Sequence, residues 1–159
     1  MVQQPMRFNQ QLHPQLQKDC YLLGHFELCS LLLLDDANYP WFILVPMREQ
    51  ITEIHQLSDS DQQQLLKESM NFSRCLENVF QPDKLNIAAL GNVVPQLHIH
   101  HIARYKSDAC WPAPVWGAVE ARPYDEDSLA DITARIKGWF DSNEQIAVNW
   151  TTDQGMKRN

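Results

Sequence analysis

The chain has 159 residues, 44% of them hydrophobic and 21% charged, which suits one compact domain with one core and excludes a disordered or collagenous chain. Thirteen Lys and Arg stand against twenty Asp and Glu, a net charge of -7, so there is no basic surplus for a nucleic-acid backbone or an anionic membrane, and any phosphate site must be local. Cys20, Cys29, Cys75 and Cys110 form no Cys-x-x-Cys pair, the polar N-terminus has no export pattern, and the longest apolar run, around Leu31–Leu34, is far short of the ~20 residues that span a bilayer; a cytoplasmic protein with reduced, buried thiols is expected.

The domain is expected over Phe8–Trp150, with a polar tail from Thr151 to Asn159. Cys20–Phe26 and Leu28–Leu34 read as strands, and Asp35-Asp36-Ala37-Asn38-Tyr39-Pro40 supplies the turn before a third strand, Trp41–Val45. The short turn favours an antiparallel hairpin. Leu57-Ser58-Asp59-Ser60-Asp61 is a capping cluster ahead of Leu65, Leu66, Phe72, Leu76, Val79 and Phe80, whose spacing predicts a helix ending before Pro82. Lys84–Leu90 is a fourth strand, Gly91-Asn92 a turn, and Val93–Ala103 a fifth strand rich in histidine. A last helix is expected over Ser128–Phe140, with Asp125, Glu126 and Asp127 near its positive end. The order β-β-β-α-β-β-α reads as α+β.

Three of the six histidines lie in Gln96-Leu97-His98-Ile99-His100-His101. Strand alternation puts Gln96, His98 and His100 on one face and Leu97, Ile99 and His101 on the other. A polar row cut into an apolar strand forgoes burial on that face, which marks a cleft, whereas His101 sits among aliphatic neighbours and reads as structural. Two imidazoles at i and i+2 suit metal binding or nucleophilic attack on phosphorus. The metal alternative lacks further ligands at a marking spacing, although His13, His25 or His55 can approach in space.

The run from Pro95 to Arg104 resembles the signature of the histidine triad (HIT) family of nucleotide hydrolases and transferases, with Gln96 in the first triad position and His98 and His100 in the second and third. The resemblance extends to the Leu33–Pro46 hairpin, the Ile54–Ser58 approach to the long helix, and the strand and turn at Leu85–Asn92. It implies a HIT-like α+β fold, with a five-stranded, mainly antiparallel sheet, a long helix and a C-terminal helix, assembled as a homodimer. It also implies that His98 attacks an α-phosphate to give a nucleotidyl-histidine and that His100 binds phosphate oxygens.

Gln96 keeps a hydrogen-bonding group but cannot carry a proton charge. Further implied contacts are Asn92 and Arg104 to the phosphates and Asp35 or Asp36 to the ribose. No metal is required, and magnesium can arrive with a substrate polyphosphate. After Val45-Pro46 comes Met47-Arg48-Glu49-Gln50, where related proteins often have a histidine that assists the leaving group, so substrates with good leaving groups, such as dinucleoside polyphosphates, are favoured. The alternative in a different class is a protein that binds a nucleotide without turning it over.

Overall fold

The structure is a computed structural model that describes residues 12–143 and 146–152. Among these residues six strands form one sheet: β1 (Cys20–His25), β2 (Cys29–Leu34), β3 (Trp41–Pro46), β4 (Lys84–Ala88), β5 (Ile99–Arg104) and β6 (Asn149–Trp150). Their spatial order is β4-β5-β3-β2-β1-β6, and every neighbouring pair is antiparallel. Among the described residues three α-helices accompany them: α1 (Pro14–Asp19), α2 (Asp59–Phe80) and α3 (Glu126–Asp141). The architecture is the α+β one expected, with one strand more than the five anticipated.

The run of four leucines in β2 has no alternation because both faces of the sheet are covered. On one face Leu31, Leu33, Phe42, Leu44 and Ile99 pack with Phe72 and Leu76 of α2 and Ile136 and Phe140 of α3. On the other, Leu32, Trp41, Ile43 and Ile102 pack with Leu12, with Leu16 of α1 and with Val115. Helix α2 begins where the capping cluster places it: the Ser58 hydroxyl accepts the Asp61 N–H at 3.2 Å. It closes at Gln81, in the left-handed region with φ 48°, directly before Pro82. Leu66, expected with the apolar stripe, instead faces outward at 61% exposure.

The differences from expectation have local causes. Strand β5 starts at Ile99 rather than Val93 because Pro95 has no N–H to give and the Leu97 N–H goes to the Ile51 carbonyl instead of a ladder partner. Helix α1 is only six residues long, too short for a periodic signal. Strand β6 is two residues pairing with Gly24 and His25 of β1, and a Cβ on Gly24 would lie 2.7 Å from the Asn149 carbonyl oxygen, so only glycine admits this strand. Thr151, expected as the first tail residue, holds the sheet through its N–H and hydroxyl on the Leu23 carbonyl. The expected boundary at Phe8 and the tail from residue 153 lie outside the described residues.

Glu68 of α2 is fully buried, and its carboxylate accepts the backbone N–H groups of Leu28 at 2.7 Å and Cys29 at 3.0 Å, together with the Gln64 amide at 2.9 Å. It therefore closes the β1–β2 turn from the helix side. Glu68→Ala orphans two buried donors and should cost about 2–5 kcal/mol of stability, with Glu68→Gln intermediate. Urea unfolding midpoints at neutral pH check this, and an unchanged midpoint in the alanine variant refutes it.

Candidate active site

His100 lies in β5 opposite Ile43 of β3 and Ala88 of β4, while His98 immediately precedes the strand. The two rings meet edge to face with centroids 4.9 Å apart, and each residue is 7% exposed. His98 Nδ1 lies 2.7 Å from the Gln96 carbonyl oxygen. A carbonyl only accepts, so the neutral ring carries its proton at Nδ1 and presents a lone pair at Nε2. His100 has the opposite tautomer: its Nδ1 accepts the Trp41 indole N–H at 2.9 Å, so its proton is on Nε2. Burial, reinforced by the neighbouring His98 and His101, pushes His100 down to about 3, and the ring is neutral at physiological pH. Trp41 and Trp116 pack edge-on around it, with centroids 5.7 and 5.2 Å from the His100 ring.

The Gln96 amide oxygen accepts the backbone N–H of His13 at 2.7 Å, which turns the amide so that its NH2 end is the donor on the other arm. His13 caps α1, its Nδ1 accepting the Gln15 N–H at 3.1 Å. Gln96 and His13 share a cleft of about 500 Å³ with Leu12, Arg48, Ile51 and Pro95. Asn92 is exposed on the loop before the histidines. The contact from His13 was not legible in sequence, since 83 positions separate the partners; Pro14, at the first turn of a helix, was the one local signal.

Other expected site residues are committed elsewhere. Arg104 is 1% exposed, and its guanidinium binds the Asp108 carboxylate at 2.7 Å, the Asn86 side-chain oxygen at 2.8 Å and the Ala113 carbonyl at 2.9 Å. It fastens the loop after β5 to β4 and has no free face for a polyphosphate. The two adjacent acids are likewise structural. Asp35 accepts the Tyr124 N–H at 2.8 Å and bonds the Tyr21 hydroxyl. Asp36, 6% exposed, accepts from the Asn38 and Arg122 backbones. Together they bind the segment leading into α3, with Asp36 buried and Asp35 half-buried. Among the described residues no cluster of three or more His, Cys, Asp or Glu is arranged to hold a metal ion, and no helix is long and apolar enough to cross a membrane.

The HIT domain family model matches residues 15–107. The chain belongs to the histidine triad family. This HIT protein is similar to a histidine triad protein from Marinobacter aquaeolei, with 45% identity, a TM-score of 0.80, and 83% of this chain and 96% of that one covered. A second, from Bradyrhizobium japonicum, has 43% identity, a TM-score of 0.79 and coverage of 80% and 95%. A third, from Sinorhizobium meliloti, has 40% identity, a TM-score of 0.78 and coverage of 80% and 94%. No curated protein matches the chain.

His101 of the HIT protein is fully buried on the opposite face. Its Nδ1–H donates to the Ile99 carbonyl at 3.1 Å, and Nε2 accepts the Ser69 hydroxyl at 2.7 Å from α2. Burial pushes it down to about 4 from an ordinary value of 6.5, although the bond to the Ile99 carbonyl opposes the shift. A histidine held neutral in the fold takes up its proton on unfolding, so the stability it contributes is complete above about pH 6.5 and is lost as pH falls toward about 4. Urea midpoints should fall between pH 7 and pH 4.5, and fall less steeply in His101→Leu, which removes one titrating group while orphaning the Ser69 hydroxyl at a cost of about 1–3 kcal/mol. Equal slopes in the two proteins overturn this assignment.

Proposed function

We propose that this HIT protein hydrolyses or transfers a nucleotidyl group at the α-phosphate of a nucleoside polyphosphate or related nucleotide conjugate, through a covalent intermediate on His98. The observation that carries the reading is the pair of adjacent, nearly buried rings whose Nε2 atoms differ in character: a lone pair on His98 Nε2 and an N–H on His100 Nε2, neither hydrogen-bonded to the protein among the described residues. Buried polar atoms without partners call for a ligand, and this pair suits a phosphoryl centre, an electrophilic phosphorus beside an anionic oxygen.

The His98 lone pair forms the N–P bond, and the bond from phosphorus to the leaving group breaks with its electron pair on the leaving group, which takes a proton from water. Water then attacks phosphorus, loses a proton to solvent and releases His98 with a nucleoside monophosphate. His100 donates to a non-bridging oxygen as charge builds there. The Asn92 amide supplies a further donor, and Gln96 contributes as an uncharged hydrogen-bonding residue. In this reading the covalent step requires no metal, and magnesium can arrive with the substrate polyphosphate. With an amide at position 96, departing phosphate chains react faster than amines, which must be protonated to leave.

The test uses a dinucleoside polyphosphate labelled at the α-phosphate. The wild-type protein should release labelled mononucleotide and, on rapid quench, carry acid-labile label, while folded His98→Asn shows neither and retains nucleotide affinity. Near-normal kcat in His98→Asn ends the mechanism. Binding without turnover or label in the wild-type protein establishes the non-catalytic alternative.

We also propose a two-fold dimer. Leu66 and Met70 share the outer face of α2 at i, i+4, with 61% and 36% exposure, and Ile87, 44% exposed, lies on the edge strand β4. Sedimentation at micromolar concentration should give twice the 18.5 kDa chain mass; a monomer across that range removes the dimer.

A further inference from the structure

Trp41 opens β3 and pairs with Ile102 of β5, which sets its side chain beside His100 on the triad face. The indole is 5% exposed and packs edge-on against Tyr39 and Trp116, with centroids 6.2 and 5.6 Å away. Its orientation is therefore fixed by packing, independently of any ligand. The indole N–H has one chemical capability, donation.

That restriction determines what His100 can present to a substrate. A proton on Nδ1, whether by tautomer exchange or by formation of the imidazolium, would set two N–H groups against each other at 2.9 Å in a buried site. Turning the ring over would carry Nε2 to the indole and leave the other nitrogen facing away from Trp41, with the same requirement that the nitrogen at Trp41 be bare. In every allowed arrangement, the nitrogen away from Trp41 bears hydrogen. We propose that Trp41 is a positioning residue that locks His100 as a neutral N–H donor toward the α-phosphate. The inference rests on the phosphate-binding reading of His100 and deepens it: the phosphate is met by a hydrogen bond of fixed polarity and not by an ion pair.

Without the indole N–H, His100 is free to adopt the Nδ1–H tautomer and turn a lone pair on the phosphate oxygen. The penalty grows as charge accumulates on that oxygen, so the loss appears in kcat more than in KM. Since removing one preorganised donor costs about 10²–10³-fold, a partial loss of tautomer control should lower kcat by about tenfold or more.

The test is Trp41→Phe, which keeps an aromatic ring and deletes the donor. Histidine ring tautomers are read from long-range ¹H–¹⁵N correlation spectra of uniformly ¹⁵N-labelled protein at pH 7, with and without adenosine monophosphate, alongside kcat and KM on the labelled dinucleotide. The wild-type spectrum should show His100 wholly as the Nε2–H tautomer and His98 as Nδ1–H. In Trp41→Phe, the His98 signals should persist while His100 moves toward the Nδ1–H form, with kcat reduced about tenfold or more and KM within about threefold. His100 unchanged in Trp41→Phe, or a changed tautomer with kcat within twofold of wild type, overturns the proposal. Should the variant not fold, the wild-type spectrum decides alone, since an Nδ1–H or imidazolium His100 at pH 7 is incompatible with the lock. A wild-type protein that turns over no nucleotide defeats the functional reading, and the tautomer spectra still report on Trp41.

Discussion

The antiparallel pairing of β3 with β5, Ile43 opposite His100 and Phe42 opposite His101, places adjacent histidines in two different chemical environments. Because the sheet is covered on both faces, alternation gives His100 to the aromatic layer of Trp41 and Trp116, and His101 to the core with Phe72 and the α2 helix. A slip of one residue would exchange these roles and put a lone catalytic-type imidazole beneath a helix. The register is held by large side chains that fit only one way, Phe42 and Leu44 below and Trp41 and Ile43 above. The chemistry of the site is thus a consequence of core packing on both sides of the strand.

Charged groups close to the site serve the same end. Arg104 and Asp108 form an ion pair buried to 2% and 4% side-chain exposure, with Tyr39 and Trp111 against the guanidinium. Burying such a pair is costly unless its remaining hydrogen-bonding positions are filled. Here they are, by Asn86, Ala113 and the N–H groups of Tyr105 and Trp111. The return is a fixed loop whose far end brings Trp116 to His100. Asp35 and Asp36 act similarly on the segment that carries the chain into α3. Both features looked like ligand contacts in sequence because a cation after the histidines and an acid at a hairpin turn suit a nucleotide equally well; which use prevails depends on partners many positions away.

What was legible in sequence follows the range of the physics. The Ser58 cap, the stop at Pro82, the β2–β3 hairpin and the alternation dividing His98 and His100 from His101 are all set within a few residues, and pattern alone recovers them. Strand β6 exists because Gly24 admits a close backbone neighbour, and α1 because it can lay Leu16 on the triad face. Neither produces a local period. Trp41 was legible as a strand residue but not as a partner of His100, since nothing local distinguishes an indole that packs from one that also donates. The buried Glu68 likewise sits in a helix whose other polar residues mostly face water, and only its two backbone partners across the turn separate it from them.

The bond between the His13 N–H and the Gln96 amide oxygen makes the glutamine part of a two-residue unit with the chain's N-terminal helix. A Gln96→His substitution is therefore not independent of His13. An imidazole installed at 96 would have to offer a bare nitrogen to His13, and a ring whose lone pair is already engaged resists the second proton that would make it a cation. A histidine at 96 that keeps the bond to His13 stays neutral. A cationic group there would require the His13 N–H to give up its acceptor, so the cap of α1 constrains the acid–base chemistry open to position 96.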